Sequence, residues 1–202
     1  MKNSILFLLA AIVFGFQARV FSQSVKGEVK NIDAYCKTID ALTKRAKKPD
    51  LIFADTSDYT DQNSTPKWQR FASEKALEKF RDKTETYSIG FNWRKDGKIV
   101  ASNFTNFSPS GDWAMYIFHC FRADGTLARV RSELRTFNGD YIVTQTRYFN
   151  VRGKQISKTV KYQDLTTHKL KKPTSDFDSS FSDEDIFKTT AKLPFANLIT
   201  KK

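Results

Sequence analysis

Between residues 84 and 163, apolar and polar side chains alternate in runs rich in β-branched and aromatic residues, and a glycine breaks the pattern at regular intervals. Gly97, Gly111, Gly125, Gly139 and Gly153 stand fourteen residues apart in a chain that holds only eight glycines. Their preceding neighbours are Asp96, Ser110, Asp124, Asn138 and Arg152. Asp-Gly and Asn-Gly are strong hairpin signals, because a two-residue type I′ turn needs positive φ at both central positions. The spacing therefore predicts six antiparallel strands in simple up-and-down order.

Two-residue turns at all five glycines also predict a register. They oppose Ile89 to Phe104, Phe104 to Ile117, Ile117 to Ser132, Ser132 to Gln145, and Gln145 to Val160. One face then collects Ile89, Phe91 and Trp93, followed by Val100, Phe104, Ile117, Ala128, Val130, Val143, Phe149 and Ile156. A slip by one residue would send these side chains to the other side. The opposite face is mostly polar, with Arg129, Arg131 and Arg135 on one strand and an apolar island of Ile99, Tyr116, Phe118 and Cys120.

Before the strands, Val29, Ile32, Tyr35, Cys36, Ile39, Leu42 and Ala46 recur at three- and four-residue steps, which predicts an amphipathic helix over 28–47. A second helix is expected from Thr65 as N-cap and Pro66 at the first helical position, running to about Asp82. The intervening "LIFADTSDYTDQNS" begins as a short strand and continues as a polar loop. After Tyr162, Pro173 and a Ser/Asp cluster mark a loop, and a short helix is expected from Ser182. The aromatic residues Phe177, Phe181, Phe187 and Phe195 predict that part of this tail docks on the sheet. The expected fold is α+β: N-terminal helices packed on a six-stranded antiparallel up-and-down meander, curved or half-barrel in shape, with a partly docked C-terminal tail.

The N-terminus changes the compartment. Lys2 followed by the apolar run Ile5–Phe16 and the small-residue stretch "VFSQS" reads as a secretory signal over 1–24, too short to span a membrane. This leaves a single exported domain, 25–202, comprising a helical region (28–82), the meander (84–163) and the tail (164–202), with no stable membrane span after cleavage. The formal net charge of +12 suits an anionic ligand or an acidic envelope partner, and export argues against nucleic acid. In an oxidising compartment, Cys36 and Cys120 leave two readings open, a disulfide or two buried thiols. A disulfide would lay the first helix over the apolar island.

No catalytic motif, phosphate-cradling glycine loop, paired zinc ligands or calcium loop is present, so no enzyme, metal or cofactor is expected. One constellation stands out. The register aligns Phe91, Ser102, His119, Val130, Arg147 and Lys158 across the apolar face, with Ser132 and Gln145 in the adjacent row. Polar groups there must be hydrogen-bonded, reach an edge or line a cavity. As a pocket, the row would use Arg147 and Lys158 to attract an anionic head group. As plain structure, Lys158 and Arg147 pass the sheet edge and His119 is a hydrogen-bonded core histidine. In architecture alone, with no motif residue carried over, the arrangement resembles periplasmic lipid or lipoprotein carriers. The functional expectation is an exported, non-catalytic binding protein that holds an apolar or amphiphilic anionic ligand on the concave face. The alternative is an envelope protein-interaction module using the sheet edge or the face bearing Arg129, Arg131 and Arg135.

Overall fold

The computed structural model describes residues 3–61, 63–174, 177 and 185–199, with side chains along the first helix from Ser24 onward. The signal-like side chains before Ser24, and the expected Phe181 and Ser182 helix start, lie outside these residues. The chain forms helix α1 (Asn3–Ala46), strands β1 (Leu51–Asp55) and β2 (Trp68–Phe71), and helix α2 (Glu74–Arg81). Strands β3 (Ser88–Lys95), β4 (Lys98–Phe107), β5 (Trp113–Phe121), β6 (Leu127–Thr136), β7 (Tyr141–Phe149) and β8 (Gln155–Asp164) follow, and α3 (Ala196–Ile199) ends the described chain.

The sheet has eight antiparallel strands, not six, in the order β2-β1-β3-β4-β5-β6-β7-β8. The two extra strands come from the segment before the glycine comb. Leu51–Asp55 pairs with β3, and Trp68–Phe71 pairs with β1 as an edge strand. The expected helix from Thr65 is therefore corrected: its first residues are strand, and helix α2 begins after Ser73, whose Oγ accepts from the Ala76 amide at 3.2 Å. The competing pattern was the strand's own alternation, which turns Trp68 and Phe71 to opposite faces.

All five comb glycines adopt positive φ, so each hairpin turns where the sequence places it. The turns are not all two residues long. Only Asp96-Gly97 is, with φ of 52° and 77° and Lys95 paired to Lys98. At Gly125 and Gly153 the closing bonds run from the Arg122 amide to Thr126 O and from the Asn150 amide to Lys154 O, which leaves three residues in each loop. One pair further in, each of these hairpins skips a residue: Cys120 pairs with Arg129 and Phe121 with Leu127, and Tyr148 pairs with Ser157 and Phe149 with Gln155. The bulge restores the residue that the turn removed. Pairings such as Ile117 with Ser132 and Gln145 with Val160 are consequently those predicted.

The β3–β4 hairpin has the same bulge without the compensating turn. Trp93 pairs with Ala101 and Arg94 with Ile99, so Val100 is skipped and the rest of β3 slides by one. Phe104 faces Gly90 rather than Ile89. This corrects the expected faces: Ile89, Phe91 and Trp93 point to the face of Cys120, while Gly90 and Asn92 share the face of Phe104. The skipped residues Val100, Ala128 and Ile156 likewise leave the apolar face and join Ile32, Cys36, Ile39, Ala101 and Cys120 beneath α1. Ile99 makes the opposite exchange and enters the cluster of Phe104 and Ile117.

Both faces are thus covered in part. On the back face, α1 is joined to β5 by a Cys36–Cys120 disulfide, with its Cα atoms 5.9 Å apart. Tyr35 donates from its hydroxyl to Phe121 O at 2.8 Å. Nearer β2, Leu77 and Phe80 of α2 pack with Ile52, Phe71 and Ile89. On the front face, the C-terminal segment 185–199 lies across the sheet as a strap. Its Phe195 ring stacks on Phe53 at 4.2 Å and meets Trp68 at 5.2 Å. The Leu127 amide donates to Lys188 O and the Thr190 amide to Gly125 O, both at 2.9 Å. Tyr141, at the other end, stacks with Phe177 at 4.2 Å. The expectation of a docked tail holds. Among the described residues, no helix is long and apolar enough to cross a membrane.

Two predictions follow from this packing. The disulfide joins residues 84 apart, and closing so long a loop in the unfolded chain stabilises the fold by about 4 kcal/mol. Cys36→Ala/Cys120→Ala is expected to melt roughly 10 °C lower, and alkylation of the unreduced, denatured protein should add no mass. At Gly90, a Cβ would lie 2.7 Å from Phe195 Cε1, and the stacked ring has little room to yield. Gly90→Ala should cost about 1–3 kcal/mol and accelerate amide exchange across 193–198 before the rest of the sheet.

Candidate functional site

The polar row predicted from the sequence exists in large part. Ser102 pairs with His119, His119 with Val130, Val130 with Arg147, and Arg147 with Lys158. Ser102 and His119 have no exposed surface, and Gln145 and Arg147 are also buried. Arg147 Nε donates to Gln145 Oε1. Lys158 lies exposed on the edge strand, as the structural reading expects. Phe91 is not part of the row, because the β3–β4 bulge turns it to the back face, where it packs beside Ile52 and Ile89. Its place is taken by Asn92, which pairs with Ser102 and is fully buried. Sequence reasoning missed Asn92 because nothing in the composition of β3 signals the skipped residue in β4.

The strap closes over this row. His119 Nε2 lies 2.8 Å from Asp185 O, so Nε2 carries the proton and donates it to the carbonyl. Phe187 stacks obliquely on His119 at 5.5 Å and on Phe104 at 5.1 Å, and Phe121 lies parallel to the imidazole on its other side. Burial among these rings lowers the His119 pKa to about 4, against the pull of the Asp185, Ile117 and Ser102 carbonyls, which favour the charged form. A neutral histidine held in one tautomer is what an apolar core accommodates. It anchors the strap.

On the back face the three arginines of β6 separate. Arg129 is buried and lies beneath α1, where Nη1 meets Asp33 Oδ1 at 3.1 Å and Nη2 meets Asp40 Oδ2 at 2.7 Å. Tyr148 also donates to Asp33, at 3.2 Å. Burial raises the Asp33 pKa, but hydrogen bonds from Lys37 and Arg129 outweigh it and hold the carboxyl below its usual value. The expectation that Arg129 belongs to an open binding surface is corrected, since its charge is engaged by two carboxylates of α1. A signal for this existed. Asp33 and Asp40 are seven residues apart, two turns of helix, and interrupt the stripe of Ile32, Cys36 and Ile39 on the same side.

Arg131 and Arg135 lie beyond the reach of α1 and are exposed. Arg131 sits opposite Phe118, with its guanidinium carbon 6.0 Å from the ring centre, and Arg135 stands 5.4 Å over Tyr116. Together with Asn103 and Glu133 these residues line an open groove of about 210 Å³. Glu133 accepts from Arg135 at 2.8 Å, while Arg131 has no carboxylate partner among the described residues. Thr144, Thr146, Thr159 and Lys161 extend the same floor across β7 and β8.

The remaining clusters are spread out. Among the described residues, no group of three or more His, Cys, Asp or Glu is placed to hold a metal ion. Comparisons with protein-family models, with curated proteins and with solved structures found no match.

The titration of His119 has a measurable consequence. With a folded-state pKa near 4 and an unfolded value near 6.5, only the unfolded chain takes up this proton between those limits. The contribution is fully present above pH 6.5 and is lost as pH falls towards 4, on the order of 3 kcal/mol in all. Denaturation of the wild type should show this loss, and His119→Gln should flatten the slope between pH 6.5 and 4 while leaving the slope below 4 unchanged.

Proposed function

We propose that the protein is an exported, non-catalytic binding module of the cell envelope, made by cleavage of a signal peptide over 1–24, and that it recognises an acidic protein segment. The observation that carries this reading is the pair of ring-backed guanidiniums, Arg131 over Phe118 and Arg135 over Tyr116, lining an open groove. A guanidinium held over an aromatic face keeps its donors directed outward, and among the described residues no carboxylate at Arg131 competes with a guest. The formal charge of +12 includes Lys2 and Arg19 of the signal, and the +10 left after cleavage draws acidic partners towards the molecule over a longer range. The disulfide fits an oxidising compartment.

An amphiphilic ligand on the front face is the second reading. It draws on the row Ser102, His119, Gln145 and Arg147, but Phe187, Leu193 and Phe195 of the strap already lie on the adjoining apolar surface. The groove on the back face is open, and so takes precedence.

The test is titration with an oligoglutamate peptide by calorimetry at low salt, alongside sedimentation with anionic phosphatidylglycerol vesicles. Arg131→Glu/Arg135→Glu is expected to weaken peptide binding at least about tenfold, with circular dichroism unchanged because both side chains are exposed. Peptide affinity unchanged by the double reversal would overturn the proposal, as would binding to vesicles without binding to peptide.

A further inference from the structure

Three polar side chains stand side by side in the front core. Asn92, Ser102 and His119 occupy directly opposed positions on β3, β4 and β5, and none has exposed surface. Among the described residues, each leaves one polar atom without a hydrogen-bond partner: Asn92 Oδ1, Ser102 Oγ and His119 Nδ1. A buried polar atom left unpaired costs about 1–3 kcal/mol, and a guest that pairs all three atoms of the row would remove that cost.

Their chemistry is determined by their other contacts. Asn92 Nδ2 donates to Gly90 O at 3.3 Å, so the amide cannot be reversed and Oδ1 remains an acceptor. His119 Nε2 donates to Asp185 O, so in the neutral ring Nδ1 is a bare lone pair, also an acceptor. Ser102 Oγ can donate or accept. Its side chain is the shortest of the three and lies between the two longer ones. Phe187 and Phe104 close the His119 side, and Phe195 lies over Gly90.

We propose that a niche above Ser102, between Asn92 and His119, is a binding site for a single ordered water molecule. Water alone combines the required size with two donors and an acceptor, so it can donate to Asn92 Oδ1 and His119 Nδ1 while accepting from Ser102 Oγ. Internal waters typically make about three such bonds to otherwise unpaired groups. The guest fixes the neutral His119 tautomer and, through Nε2, the anchor of the strap at Asp185. The site thereby joins three strands and the C-terminal segment in one hydrogen-bonded chain.

High-resolution crystallography of the wild-type protein should show one compact peak within hydrogen-bond distance of at least two of the three atoms. In solution, oxygen-17 relaxation dispersion should count one fewer long-lived water in Ser102→Val, whose branched side chain fills the niche. The wild-type nitrogen-15 spectrum should place the His119 proton on Nε2, with Nδ1 as a hydrogen-bond acceptor. An empty niche in wild-type crystals overturns the proposal whether or not Ser102→Val folds. So does an equal water count in a folded Ser102→Val, or density for a larger organic molecule.

Discussion

Three bulges, one in every second hairpin, determine how this protein closes its back face. Val100, Ala128 and Ile156 are each skipped by the ladder at the end of the sheet that carries Gly97, Gly125 and Gly153. A bulged residue no longer alternates with its neighbours, so each adds an apolar side chain to a face that would otherwise receive alternate residues only. All three belong to the cluster containing Ile32, Cys36 and Ile39 of α1. The fourteen-residue step sets these residues 28 apart along the chain and aligns them across β4, β6 and β8. The apolar seat for the helix is a product of the turns. Without it, α1 would meet the threonines and charges that cover the rest of that face.

Once seated, α1 is fixed by two interactions of different kinds. The Cys36–Cys120 bond restricts the unfolded chain and acts at one point. The Arg129 pairing with Asp33 and Asp40 spans two helical turns and sets the angle and register of α1 over β6. A buried ion pair adds little net stability after its desolvation, so specificity of docking is its main contribution. Removing one partner would leave charge beneath the helix, and the arrangement is therefore intolerant of sliding.

The repeated turns were legible because positive φ at a comb of Asp-Gly and Asn-Gly positions leaves few alternatives. The later registers were legible for a less direct reason: the three-residue turns at Gly125 and Gly153 and the bulges beside them cancel. At Gly97 nothing cancels, and the faces of Ile89, Phe91, Asn92 and Trp93 were misassigned. Whether a hairpin takes two or three loop residues depends on how the adjoining bulge packs against α1, which is long-range information. The same holds for β2. Thr65-Pro66 is a sound local helix start, but pairing of Trp68–Phe71 with β1 outweighs it. Ser102, His119, Gln145 and Arg147 were placed correctly because they lie on strands whose registers survived. Their closure by the strap was not legible, since His119 is held by the backbone carbonyl of Asp185 and not by a side chain.

The fate of the β6 arginines links the packing to the surface. Arg129, Arg131 and Arg135 point to one face at even spacing and would be equivalent on a bare sheet. The helix distinguishes them. Under α1, Arg129 meets two carboxylates and becomes part of the core, while Arg131, one pair further along, lies over the Phe118 ring. Since α2 covers the back face at β1 to β3 and α1 covers the bulge end, the floor around Tyr116, Phe118, Arg131 and Arg135 is bounded on two sides by helices. On the front, the strap fills the apolar ground beside Phe53 and Phe104. The proposed recognition of an acidic segment at the floor needs no movement of either helix or of the strap, whereas a ligand at the front core must first displace Phe187 and the Asp185 carbonyl. That difference in opening cost favours the back-face groove over the front core as the proposed binding surface.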